Sequence, residues 1–150
     1  PLRLEWIREA QPGEVNGLRS GFLAATELLS RHPKITALVC ANDYIAIGAI
    51  RAAWRLGRRV PVDLAVVGHD HTVAGRYHVP SVSTVAQPMT EAATVAAARL
   101  LDRIEGRSKV LPALDVSFSG RFIVGGSTDP NAPDPLIPGD ISTFKEADPK

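Results

Sequence analysis

With 45% apolar and 22% charged residues in 150, the chain carries enough for one ordinary hydrophobic core, and no stretch nears the ~18 apolar residues a membrane span needs. A net charge of +1 with no basic stripe argues against nucleic-acid binding by this chain itself. Its single cysteine, Cys40, cannot form an internal disulfide, and with no charged-then-apolar leader at the start the protein is expected in the cytoplasm.

In chain order, Leu2–Ile7 alternates apolar and polar residues as a half-buried strand does, and the turn-rich QPGEVNG follows. From about Asn16 to Arg31, Leu18, Phe22, Ala25, Leu28 and Leu29 fall at helical spacing until His32-Pro33 stops the helix. Thr36–Ala41 is a continuous apolar run, the mark of a strand covered on both faces. A helix capped by Asp43 then runs to Leu56 and closes on Gly57.

Val62–Gly68 repeats the buried-strand signal, a loop extends to Pro80, and Ser81–Ala86 forms another strand. Gln87-Pro88 leads into an alanine-rich helix ending near Gly106, and Leu114–Val124 is the last strand. This rhythm predicts an α/β fold with a mostly parallel, doubly wound sheet. Asp129–Lys150 holds five of the twelve prolines and five acids, so it is read as a disordered tail. The chain opens on proline and its one methionine is Met89, so it is expected to be a piece of something longer.

In such a sheet, ligands bind beyond the carboxyl ends of the strands. Asn42 and Asp43 end one strand, Asp70 the next and Gln87 the one after, a set of oxygens and amides suited to a small polyhydroxylated or amide-bearing ligand. Asp43 is assigned first to its helix cap. Within HDH, His69 and His71 would share one face of an extended strand while Asp70 points the other way, so the three do not converge on a metal. His32 and His78 read as a helix-end residue and a loop residue. No nucleophile elbow or glycine-rich phosphate loop is present, and Cys40 lies in an apolar run, so neither catalysis nor a cofactor is expected.

The ordered motifs TALVCAND, RRVPVDLAVVGHD, PSVSTVAQP and LLDRIEG, with SGF at Ser20–Phe22 and SFSGRFIVGGST at the end, resemble the effector-binding core of the LacI/GalR family of bacterial transcription regulators. That core has the periplasmic-binding-protein fold, in which two α/β subdomains joined by three crossovers enclose an effector. The resemblance implies that residues 1–128 are the C-terminal part of this core. Residues 1–86 would belong to the C-terminal subdomain and residues 87–128 supply a crossover helix and strand.

It further implies that Asn42 and Asp70 contact the effector, with Gln87 at the crossover, and that the helix from Asp43 and the loop around Tyr77 form a homodimer interface. The interface residues would be Ala46, Ile47, Ile50, Trp54 and Tyr77. The residues support this separately, since Ile45, Ala46, Ile47, Ala49, Ile50, Ala53 and Trp54 leave that helix apolar nearly all round, and such a helix needs a second partner besides its sheet. Operator DNA would be reached only through a headpiece that this chain lacks.

Departures from the family pattern fall at the site. His69 stands where relatives place an aromatic, His71 where they place an acid or amide, and Asn16 where many carry an aromatic that stacks on the ligand. These three join the candidate ligand contacts, with a sugar or related metabolite expected and the histidines suited to an anionic ligand instead. The helix Thr90–Glu105 belongs, by the resemblance, to the subdomain that is mostly absent. Its face of Ala93, Ala96, Ala97, Leu100 and Ile104 is expected to be covered by another copy or displaced, and a single chain with that face open counts against this. The second reading is a part of a periplasmic sugar-binding protein serving a transporter. The isolated chain is expected to bind effector weakly at best.

Overall fold

A computed structural model describes residues 3–9, 17–106 and 115–133. Helix α1 (Leu18–Arg31) is followed by β1 (Ala37–Val39), α2 (Asp43–Arg55), β2 (Ala65–His69), α3 (Val73–Tyr77), β3 (Ser83–Ala86), α4 (Met89–Ile104) and β4 (Arg121–Ile123). The four strands form one sheet in the order β1-β2-β3-β4. The first three are parallel, in register Ala37 with Ala65 and Val67 with Ser83, and β4 returns antiparallel to β3. The expected mostly parallel sheet is therefore present.

Helix α2 shows why the core forms where it does. Ala46, Ala49, Ile50, Ala52 and Ala53 pack with Ala25 and Leu29 of α1 and with Leu64, Val66 and Val82 from the sheet side. Each large side chain fully buried there contributes roughly 1.5–3 kcal/mol. The helices approach closely because glycines face each other: a β-carbon on Gly48 would collide with the Leu18 carbonyl, and one on Gly21 with the Ile45 backbone. The second partner that the apolar α2 requires is thus α1, within the same chain, so the pattern carries no independent argument for a second copy.

Ser127 closes the other end of the sheet. It sits between the amino ends of β2 and β3, its hydroxyl donating to the Val66 carbonyl at 2.5 Å and accepting from the Ser83 amide at 2.8 Å. The Ser127 carbonyl accepts from the Val66 amide. The residue is fully buried, and the backbone groups that would otherwise lack partners are satisfied.

Five expectations are corrected. β1 is not covered on both faces: it is the edge strand of the sheet, and its Ala37 and Val39 are exposed. The described part of Leu2–Ile7 does not supply a strand: Leu4–Trp6 is a 3-10 turn whose amide bonds are made locally, Trp6 to Arg3 and Ile7 to Leu4. Alternation states which face a strand would bury, but a turn that satisfies its own donors needs no neighbour. The loop before Pro80 contains α3, whose Thr72 cap accepts from the Gly75 amide. Of Leu114–Val124 only Arg121–Ile123 is strand among the described residues. Helix α4 buries none of its residues and leaves Leu100 and Ile104 exposed, so the expected cover is missing from this single chain. Most of the proposed tail, and Asn16, lie outside the described residues.

Candidate functional site

The carboxyl ends of β1, β2 and β3 deliver Asn42, Asp70 and Gln87 to one edge of the sheet. The chain breaks sharply there. β2 ends at His69, and Asp70 and His71 take left-handed backbone, with φ of 93° and 54°. For residues with side chains this is uncommon, and it clusters at functional sites.

That turn overturns the expected strand alternation. His69 and Asp70 do not point apart; Nδ1 of His69 lies 2.8 Å from Oδ1 of Asp70. Gln87 joins them, its Nε2 donating to the same Oδ1 at 2.8 Å and lying 3.2 Å from His69 Nδ1. A carboxylate oxygen accepts both bonds best when His69 carries its proton on Nδ1, which leaves the ring Nε2 as an acceptor. Asp70 is exposed and its Oδ2 makes no hydrogen bond among the described residues, so an acceptor of fixed orientation faces outward.

Asn42, not Asp43, caps α2. Its Oδ1 accepts from the Ile45 amide at 2.8 Å, leaving the Nδ2 amide for anything beyond the edge. Asp43 is completely buried, and its Oδ2 accepts from both the amide and hydroxyl of Thr72, at 2.6 and 3.0 Å. The motif Asn-Asp fits either assignment in sequence; backbone φ decides it, since only Asn42 is extended at the helix start. His71 is half-buried, its amide donating to Thr84 Oγ1 at 3.2 Å while its Nδ1 is buried without a partner.

The structure therefore joins His69, Asp70 and Gln87 directly and sets Asn42 and His71 on the same edge. Sequence reasoning missed Thr72 and Thr84, which hold the turn, and Arg121, which opens β4 opposite Ala86 and brings a cation to this edge. Thr72 was detectable as a helix cap three residues before Gly75; the other two depend on strand register.

Two other features bear on chemistry. A cavity of about 990 Å³ opens away from this cluster, between residues 3–8, α1 and the free edge of β1, lined by Trp6, Ile7, Leu28, Ile35 and Cys40. Burial pushes the Cys40 thiol up to about 12, so it stays protonated and unreactive. Among the described residues no group of three His, Cys, Asp or Glu side chains is placed to hold a metal ion, and no helix is long and apolar enough to cross a membrane.

Of the expected interface residues, Ala46 and Ile50 belong to the core, with 0% and 6% of their surface exposed. They have no area left for a partner. Trp54 and Tyr77 are exposed, Ile47 is half-buried, and Val73 and Val79 lie open in the same α2–α3 region.

A sheet with Asn, Asp and Gln at successive carboxyl ends is the frame of a ligand-binding α/β domain, and residues 2–128 match the family of periplasmic binding protein-like domains. The HTH-type transcriptional repressor PurR of Proteus mirabilis (strain HI4320) is 39% identical over 97 residues, 65% of this chain and 28% of that protein. PurR of Yersinia pestis bv. Antiqua (strain Antiqua) is 36% identical over 116 residues, 77% of this chain and 33% of that one. Among solved structures, a LacI family transcriptional regulator from Arthrobacter sp. FB24 in complex with lactose matches with TM-score 0.67 and 30% identity, covering 75% of this chain and 41% of that one. A sugar-binding transcriptional regulator of the LacI family from Escherichia coli, complexed with phosphate, matches with TM-score 0.71 and 32% identity, covering 85% and 43%.

The chain belongs to the periplasmic binding protein-like domain family, and within it to the LacI/GalR regulators, as part of their effector-binding region. It spans about a third of the length of the curated relatives it matches.

Proposed function

We propose that this chain is the sensing part of a cytoplasmic, non-enzymatic transcription regulator, and that it binds a small polyhydroxylated effector at the carboxyl edge of its sheet. The observation that carries this reading is the outward Asp70 carboxylate, whose Oδ1 is held by His69 and Gln87 while Oδ2 stays free to accept from a ligand hydroxyl. Asn42 Nδ2 and His69 Nε2 add a donor and an acceptor. His71 and Asn16 complete the candidate contacts. A sugar is the ligand class this set suits best, and the neighbours complexed with lactose and cellobiose support it.

The effector acts by favouring one arrangement of the full-length protein over another, which changes operator binding through a headpiece supplied elsewhere in that protein. The regulator works as a homodimer through the exposed Trp54 and Tyr77 and the adjoining Ile47; the lac repressor, solved as a dimer on operator, supports this. The PurR proteins of Proteus mirabilis and Yersinia pestis, both named as transcriptional repressors, favour this over the transport-receptor reading.

A thermal-shift screen of sugars, nucleosides and organic acids on the full-length protein tests the proposal. A sugar should raise the melting temperature, by roughly 2.7 kcal/mol of added stability at a hundredfold excess over its dissociation constant. Asp70→Ala should abolish that shift. A shift that survives Asp70→Ala, or one produced only by nucleosides, overturns the sugar site.

A further inference from the structure

Asp and His visit left-handed backbone more readily than most residues with side chains, but two in succession are uncommon, and the turn at Asp70 and His71 is held from both sides. On the strand side, the Asp70 amide donates to the Val85 carbonyl at 3.0 Å and the His71 amide to Thr84 Oγ1 at 3.2 Å. On the helix side, the side chain that grips the next residue among the described residues is Asp43, through the amide and hydroxyl of Thr72. Thr72 Oγ1 in turn accepts from the Gly75 amide at 3.1 Å and starts α3.

Asn42 already caps α2, so what α2 itself asks of Asp43 is at most a charge in its first turn. Asp43 is 0% exposed, and its Oδ1 has no hydrogen-bond partner, a costly way to bury a polar group. Room for it is made by two glycines. A β-carbon on Gly68 would collide with Oδ1, and one on Gly75 would stand 2.9 Å from Oδ2. A strained turn, a cradled carboxylate and a two-armed grip converge on one residue pair.

We propose that Asp43 is a positioning residue of the effector site, fixing the left-handed Asp70–His71 turn through Thr72 so that the Asp70 carboxylate keeps its outward aim. The consequence for affinity rests on Asp70 being an effector contact; the consequence for the turn does not.

The test uses the full-length protein, selectively labelled at aspartate and histidine, with Asp43→Ala, Asp43→Asn and Thr72→Val. A left-handed residue brings its own amide and α protons close, giving a strong contact between them in NMR spectra. That signature at Asp70 and His71 should be lost in Asp43→Ala, weakened in Thr72→Val, and recovered in Asp43→Asn, which keeps one carbonyl acceptor. Thr72→Val leaves the buried carboxylate in place, so it decides the matter if Asp43→Ala fails to fold. Both residues remaining left-handed in these variants while only the melting temperature falls overturns the proposal. With lactose as probe, affinity measured by calorimetry should drop roughly tenfold in Asp43→Ala, equivalent to about 1.4 kcal/mol. If Asp70→Ala binds lactose unchanged, the sugar-site reading fails, and the NMR result still decides whether Asp43 sets the turn.

Discussion

Helices α2 and α4 look alike in the sequence, both alanine-rich with larger aliphatic residues at helical spacing, yet α2 buries seven of its thirteen residues and α4 none of its sixteen. The difference lies in what each can approach. Gly48 on α2 faces Gly21 on α1, and the missing β-carbons let the backbones come within contact distance. α4 lies in a chain that spans about a third of the length of its curated relatives, and among the described residues none of its apolar side chains reaches a core. Spacing reveals that a helix has an apolar face; between α1 and α2, facing glycines let a neighbouring helix cover it.

The most damaging way to break this contrast is Gly48→Ala. One methyl would press on the Leu18 carbonyl and the Phe22 amide, both backbone atoms that cannot rotate away. Overpacking of this kind costs about 3 kcal/mol, seen as a lower urea midpoint. An unchanged midpoint would show that α1 and α2 have room between them for a methyl group.

Ser127→Ala comes next. It removes the acceptor of the Ser83 amide and the donor to the Val66 carbonyl, leaving two buried backbone groups unpaired. About 2 kcal/mol should be lost in the same urea measurement, with Ser127→Thr testing whether the hydroxyl alone suffices. Ile104→Ser on the open face of α4 should shift the stability of this chain by no more than about 0.5 kcal/mol. A loss as large as that of Ser127→Ala would mean that α4 is packed after all.

The same contrast governs what could be read from the sequence. The mostly parallel sheet and its strand ends were legible because short apolar runs alternate with helical patterns and because Asn42, Asp70 and Gln87 recur at one topological position, although the apolar run of β1 turned out to lie on an exposed edge. Three things were not. The alternation of Leu2–Ile7 promised a strand, but it lacks a way to specify a neighbour, and local 3-10 bonds took its amides. The adjacent Asn42 and Asp43 are both good caps, so only the backbone distinguishes the helix cap from the buried anchor. The turn at His69–His71 carries no glycine to announce its positive φ, and period-two reasoning therefore carried one residue too far. What holds that turn, Thr72 on Asp43 and His71 on Thr84, joins residues 29 and 13 positions apart, beyond the reach of any local pattern.

The smallest expected effect belongs to the turn that follows α2, and it sharpens how that helix is tied to β2. Arg58 donates to the carbonyls of Ile35 and Asp63, while Arg59 meets the Asp63 carboxylate through Nε at 2.9 Å and through its backbone amide at 2.8 Å. The hydrogen bond from the Arg59 side chain, and then that from its backbone, lower Asp63 to about 2. A carboxyl group whose folded value is depressed contributes stability that is present above its unfolded value near ~4 and is lost as pH falls through the folded value. The melting temperature of the wild type should therefore exceed that of Asp63→Asn at neutral pH, with the gap closing between about pH 4 and about pH 2. Because the pair is exposed, added salt should narrow the gap at neutral pH. A gap that persists unchanged at the lowest pH would assign the turn's stability to Arg58 and the backbone bonds alone.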